Sequence, residues 1–193
     1  MRIDVEWIRA RLAGVTPVVS EREGSRAAVA MIVRERGDDS EMLFIRRAEH
    51  PLDPWSGHMA FPGGRADPGD EGDLLVTAMR ETSEEIGVDL RAEGEVLGHL
   101  SDIAAIARGK LVGMVIRPYV VALRGEPAIV PNHEVAEVLW APLTPLLRGE
   151  LATTYPYVHE GKQLALPAHR IGERVVWGLT HQMVEALLAL VRA

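Results

Sequence analysis

Residues Asp73–Val88, DLLVTAMRETSEEIGV, read as an amphipathic helix with an awkward end. Leu75, Ala78, Met79, Thr82 and Ile86 recur at helical spacing and gather on one apolar face. Glu81, Glu84 and Glu85 occupy an adjoining arc of roughly 100° in the last turn and a half, just before Gly87. Like charges at i, i+4 cost about 0.2–0.5 kcal/mol per pair. Anions near a helix C-terminus oppose its dipole, at a further ~0.3–1 kcal/mol each. Arg80 can pair with Glu84 at i, i+4, but it cannot neutralise three carboxylates. A solvated acidic face is the ordinary reading of clustered glutamates, and these costs count against it here. A divalent cation relieves them, and carboxylate oxygens suit hard ions such as Mg2+ or Mn2+.

The stretch before the helix, HPLDPWSGHMAFPGGRADPGDEGD, holds four of the twelve prolines and five of the eighteen glycines. It shows no helical or strand period. A loop of that length inside a compact domain is usually functional. Gly63 and Gly64 are expected to open a tight turn, where positive φ lets a backbone carbonyl approach an ion closely.

The remainder of the chain alternates helical and extended patterns. A helix is predicted over Ile3–Leu12 and strands over Arg26–Arg34 and Glu41–Arg47, joined by a turn around Gly37–Ser40. Further strands are expected at Glu95–Leu100, Leu111–Leu123 and Ala136–Trp140. Pro118 marks the second of these as an edge or a bend. APLTPLLRG, Ala141–Gly149, reads as a short helical turn, and Leu164–Trp177 reads as extended or irregular. Thr180–Val191 reads as a closing amphipathic helix that Thr180 caps. The mixture implies one α/β or α+β domain over residues 1–193, with residues 1–24 as a helical extension.

Composition narrows function by exclusion. The net charge of -7 does not invite nucleic acid or an anionic membrane. With no cysteine there is no disulfide, thiolate zinc site or cysteine nucleophile, which fits the cytoplasm. The charged N-terminus does not read as a signal peptide, and no apolar run approaches the ~20 residues that span a bilayer. His50, His133, His159, His169 and His181 show no ligand spacing.

The glycine pair followed by REТ-type residues resembles the Nudix box: G, five residues, E, seven residues, then R-E-U-x-E-E-x-G-U, where U is a bulky aliphatic. Arg80, Glu81, Glu84, Glu85, Gly87 and Val88 match position for position, and Gly64 matches the opening glycine. Thr82 stands at a U position. The spacing from Gly64 to Arg80 is longer than the pattern, so the box's first glutamate falls on Gly72, with Asp70, Glu71 and Asp73 close by. The resemblance implies a mixed sheet between helices, with the box as loop–helix–loop. It also implies hydrolysis of a nucleoside diphosphate linked to another group. Glu81, Glu84, Glu85 and a carbonyl at Gly64 would hold Mg2+ or Mn2+. Arg80 would position the glutamates, and Glu84 or Glu81 would take a proton from water. Glu134 and Glu137 in PNHEVAEVLW offer a base or ligand on a later loop, or are plain surface carboxylates.

Upstream, LFIRRA and GHMAFPGG are similar to the signature of the coenzyme A pyrophosphatase branch through Leu43, Arg47, Ala48, Gly57, Phe61, Pro62, Gly63 and Gly64. Between them, EHPLDPWS has one extra residue and lacks that signature's arginine. RVVWGLTHQMVEALLAL resembles the final segment of that branch, with Trp177 expected as a core anchor. This implies coenzyme A or an acyl-CoA as substrate, with Arg47, Phe61 and Glu134 as contacts. Arg46, His58 and Trp55 are weighed as further contacts against plain surface, loop or plug roles. Rival readings are an ADP-ribose- or NADH-type substrate, or a catalytically silent nucleotide-binding regulatory module. The partner expected is a small-molecule nucleoside diphosphate, and a homodimer is left open.

Overall fold

The computed structural model describes residues 3–53, 55–107, 109–159 and 161–192; Pro54 of the proline-rich loop lies outside the described residues. Helix α1 (Val5–Ala13) is capped by Asp4, whose side chain accepts from the Trp7 amide at 2.8 Å. Strand β1 (Ser25–Arg36) is nearly apolar from Ala27 to Val33 and buried on both faces, as expected of a strand covered from both sides. Its residues alternate between two cores. Ala27, Met31 and Val33 join a cluster with α1 and with α5 (Gly178–Arg192). Ala28, Ala30 and Ile32 join another with α2 (Leu74–Ile86) and α3 (Leu90–Glu93). A mixed sheet therefore lies between two helical layers, the α/β/α arrangement expected from the sequence. The N-terminal helix belongs to the first core: Ile3 and Ile8 are fully buried, and Trp7 Nε1 donates to the Val191 carbonyl at 3.2 Å.

Strand β2 (Asp39–Arg47) pairs with β1 only from Asp39 to Met42 before the hairpin splays. Into the gap come two short strands, β3 (Met59–Ala60) against β2 and β4 (Gly63–Arg65) against β1. The region read as patternless loop thus contributes to the middle of the sheet. Two- and three-residue strands are too short to show a period, which is why sequence missed them. Gly63 and Gly64 lie in β4 rather than in a tight turn; Gly63 has φ +153, and a Cβ there would come within 2.3 Å of the Ala28 carbonyl oxygen.

Strand β5 (Gly94–His99) and β6 (Ile103–Ala107) line one edge of β7 (Lys110–Leu123), and β7 runs parallel to β1 on the other. Strand β7 is therefore interior, contrary to the edge expected from Pro118. Pro118 falls where the neighbour changes from β5 to β6, and its carbonyl accepts from Leu100 N–H at 2.8 Å. A strand residue's N and O point the same way, so the missing N–H faces that junction and breaks no ladder bond. Strand β8 (Val135–Pro142) covers the far side of β2 and leads into α4 (Leu143–Leu147). Then β9 (Ala152–His159), β10 (Lys162–Ile171) and β11 (Arg174–Trp177) form a separate antiparallel meander that runs into α5. Because α5 begins at Gly178, Thr180 is not its cap; its hydroxyl donates to the Met59 carbonyl at 2.9 Å and ties the helix to β3.

Candidate active site

Helix α2 starts at Asp73, which caps the Leu75 amide, and ends at Gly87 in the left-handed region (φ 73). Its acidic end is not left to solvent. The Val130 and Asn132 amides donate to the carbonyls of Ile86 and Glu85 at 2.8 and 2.9 Å. These bonds satisfy orphan helix carbonyls and place the following residues, including Glu134, beside the glutamates.

The three glutamates differ sharply in environment. Glu85 is 2% exposed, and its Oε2 accepts from the Gly63 amide at 2.9 Å. Burial pushes its carboxyl up to about 7; Glu81 and Glu134 add to the rise, while Gly63 and Arg47 oppose it. Glu81 is half-buried, and burial likewise holds it above the ordinary glutamate range against the pull of Arg80. Glu84 is the most open of the three. Gly64 lies directly over Glu81: a Cβ there would come within 2.4 Å of the Glu81 carboxylate. Only glycine leaves this space, so backbone and carboxylate close on one small volume.

Arg80 organises the cluster. Its Nε and Nη2 donate to the two oxygens of Asp70 at 2.9 and 3.0 Å. Nη2 also reaches the Arg65 carbonyl at 3.2 Å, and Nη1 donates to Glu81 at 2.9 Å and to Glu84 at 3.3 Å. Asp70 is buried and accepts in addition from Thr77 Oγ1 and the Asp67 amide, at 2.8 and 2.9 Å. The Arg80 guanidinium, ahead of these bonds, holds the Asp70 carboxyl well below the usual range. Sequence left Asp70, Glu71 and Asp73 as alternatives for the acidic partner in the loop; the geometry gives that place to Asp70. It is carried there by a 3-10 turn, Pro68–Asp70, that Asp67 caps and that Glu71 closes in the left-handed region (φ 53).

A cleft of about 1160 Å3 opens from this cluster. Glu81, Glu84, Glu85, Glu134, Gly64, Arg47 and Arg65 line one end. Arg47 sits at a bulge opposite β8, and its Nε donates to Asp53 at 2.7 Å. Phe61 lies in the wall but is buried and stacked on Phe44 at 5.0 Å, so it anchors the FPGG corner to the core. Arg46 and Glu137 are not among the lining residues; Glu137 pairs with Arg174 at 2.8 Å and Arg46 at 3.4 Å.

The other end is aromatic. Trp177 stacks on Tyr155 with centroids 4.1 Å apart and an interplanar angle of 6°, and Tyr157 and His58 flank it at 5.6 and 4.8 Å. Trp177 is therefore a cleft residue rather than a core anchor; the neighbouring Val176 and Met183 fill the core. Burial lowers the His58 imidazole from its ordinary range. Trp55 also borders the cleft and donates to the Ile106 carbonyl at 3.3 Å. Tyr155 and Tyr157 were missed in the sequence, although their period-two spacing in TTYPYVH is a strand signal.

A NUDIX domain matches residues 24–160. The human mitochondrial coenzyme A diphosphatase NUDT8 is 31% identical over 184 residues, 94% of this chain and 75% of that protein. An uncharacterized protein of Schizosaccharomyces pombe, C14C4.10c, is 34% identical over 158 residues, 72% of this chain; the chain spans about half of it, 47%. A crystal structure of a MutT/nudix family protein from Enterococcus faecalis shares the fold with a TM-score of 0.58 at 18% identity, covering 98% of this chain and 70% of that one. The chain belongs to the Nudix family of pyrophosphate-cleaving hydrolases. No helix among the described residues is long and apolar enough to cross a membrane.

Proposed function

We propose that the chain is a Mg2+- or Mn2+-dependent pyrophosphohydrolase that cleaves the diphosphate of coenzyme A or an acyl-CoA. The products would be 3′,5′-ADP and 4′-phosphopantetheine or its acyl form. The observation that carries this reading is the two-ended cleft, with four carboxylates at one end and stacked aromatic rings at the other. The names of the human and mouse relatives, mitochondrial coenzyme A diphosphatases, support the substrate.

The site suits a hard divalent ion. Its donors are all oxygen, Glu85 is buried without a cationic hydrogen-bond partner among the described residues, and Gly64 keeps open the space over Glu81. Glu81, Glu84, Glu85 and the Gly64 carbonyl would hold it. The chemistry supplied by such an ion when bound is charge neutralisation of the diphosphate and acidification of water. The Gly63 amide fixes one oxygen of Glu85, which lines the cleft. Arg80, locked by Asp70, sets the positions of Glu81 and Glu84. Glu84, the most exposed of the three, takes the proton from the attacking water. Arg47 and Glu134 border the diphosphate, and the Trp177–Tyr155 stack offers a flat surface to the adenine or the pantetheine arm.

A second reading keeps the chemistry and changes the substrate to an ADP-ribose or NADH type. It draws on Glu49–Ser56, which brings no arginine to meet a 3′-phosphate. We assign the cytoplasm on the cysteine-free composition; the relatives are named for mitochondria and peroxisomes. Incubation with coenzyme A and Mg2+, with products resolved by chromatography, decides between substrates. Appearance of 3′,5′-ADP and 4′-phosphopantetheine, blocked by EDTA, is the expected outcome. Intact coenzyme A beside hydrolysed ADP-ribose would overturn the substrate and keep the site.

A further inference from the structure

Outside the glutamate cluster, β10 and α5 bring together a second set of donor atoms. His169 stands on β10, and His181 and Glu185 stand one turn apart on α5. His169 Nε2 lies 2.9 Å from Glu185 Oε1, and the His169 and His181 rings are 4.7 Å apart. One donor atom from each of the three residues lies within 4.8 Å of the others. His169 is 3% exposed, yet its Nδ1 is buried with no hydrogen-bond partner.

A plain hydrogen-bonded pair accounts for His169 and Glu185, and Arg192 Nη1 adds a contact to Glu185 Oε2 at 3.3 Å. It does not account for a second imidazole packed against the first. We propose that His169, His181 and Glu185 form a binding site for a borderline divalent cation of the Zn2+ type, distinct from the hard-ion site on α2. Two imidazoles and one carboxylate favour Zn2+, Co2+ or Ni2+ over Mg2+, which prefers oxygen. Ligands at about 2.0–2.2 Å from Zn2+ stand roughly 3.3 Å from one another in a tetrahedral site. The 2.9 Å pair is already near that spacing, and rotation of the half-buried His181 ring brings in the third donor. Arg192 remains an outer partner of the carboxylate. Such an ion fastens α5 to β10. The first turns of α5 also present Leu179, Thr180 and Met183 to the cleft, so the fastening fixes one of its walls. The sequence alone shows no ligand spacing for these histidines: His181 and Glu185 do stand at i, i+4, but the third member, His169, comes from another element and has no fixed spacing to them.

Cobalt separates this site from the glutamates. Wild type, Glu85→Gln, His181→Ala and Glu185→Gln would each be titrated with Co2+ in saturating Mg2+, following visible absorption and far-ultraviolet dichroism. The expected result is one equivalent of bound Co2+ with ligand-field bands in wild type and Glu85→Gln, displaced by Zn2+. His181→Ala and Glu185→Gln, with native dichroism, would weaken binding by about 10- to 100-fold. Zn2+ would raise the melting temperature of wild type and leave His181→Ala unmoved. Unchanged Co2+ binding in both His181→Ala and Glu185→Gln, absence of bands in wild type, or their loss in Glu85→Gln alone would overturn the site.

Discussion

The two ends of the cleft are built in different ways. At the glutamate end, Gly64, Glu81, Glu84 and Glu85 come from one stretch, residues 63–85, in which a short strand and a helix face each other, and Arg47 and Glu134 join them from β2 and a later loop. The aromatic end comes from His58, Tyr155, Tyr157 and Trp177, contributed by a loop and two strands of a separate meander. The first end is charged, partly buried and held by bidentate bonds; the second is open, neutral and held by stacking. Chemistry tolerates little displacement, and the proposed chemistry is placed where neighbouring segments fix the groups. Recognition by flat surfaces tolerates more, and can be assembled from afar.

Substitutions at each end should therefore fail differently. Glu85→Gln should keep the fold and lower kcat by about 10²- to 10⁴-fold, measured under saturating substrate and Mg2+; turnover within a few-fold of wild type would remove Glu85 from the site. Gly64→Ala drives a methyl group into the Glu81 carboxylate, and a loss of about 100-fold with little change in melting temperature is expected. Asp70→Asn leaves Arg80 half-tethered. Activity should drop by about 10- to 100-fold, and denaturant titration should show a loss on the order of 2 kcal/mol. At the aromatic end, Tyr157→Ala should raise KM by about 3- to 10-fold and leave kcat nearly unchanged. A kcat loss as large as that of Gly64→Ala would erase the proposed division between the two ends.

The smallest effect concerns stability in EDTA. The Glu85 carboxyl lies at about 7 in the folded chain against 4.5 ordinarily. Unfolding therefore releases a proton between those values, and the metal-free fold loses stability as pH rises through that window. Above it the full penalty is present. At pH ~8, metal-free Glu85→Gln should be more stable than wild type by on the order of 1–3 kcal/mol, and the two should converge near pH ~4. Equal melting curves at both pH values would show that burial does not destabilise the carboxylate.

The same contrast explains what was legible in the sequence. Three carboxylates at i, i+3 and i+4 on a helix have a fixed mutual geometry, so their cluster can be read from spacing alone. Strand β1 and its partner β2 announced themselves as apolar runs between turn signals. Asp70 could not be singled out, because the 3-10 turn that delivers it to Arg80 has no periodic signature. Strands β3 and β4 were invisible for the same reason, and Pro118 misled because its gap is absorbed at a junction between two neighbours. In the sequence Trp177 reads as a core anchor of the last helix; only the meander that brings Tyr155 onto its face makes it part of the cleft.

The parallel pairing of β1 with β7 carries a consequence for how the chain acquires its shape. Ser25 pairs with Met114, a closure of roughly 90 residues, and long closures are formed late because their entropy cost precedes their reward. Everything from β1 to α2, including Glu81, Glu84, Glu85 and their arginine, is made before β7 leaves the ribosome. Until then, one long edge of β1 has no neighbour. A nascent chain thus holds most of the proposed hydrolytic apparatus while still presenting the bare edge of an apolar strand that invites pairing with another chain, and β7 is the strand whose arrival ends that exposure.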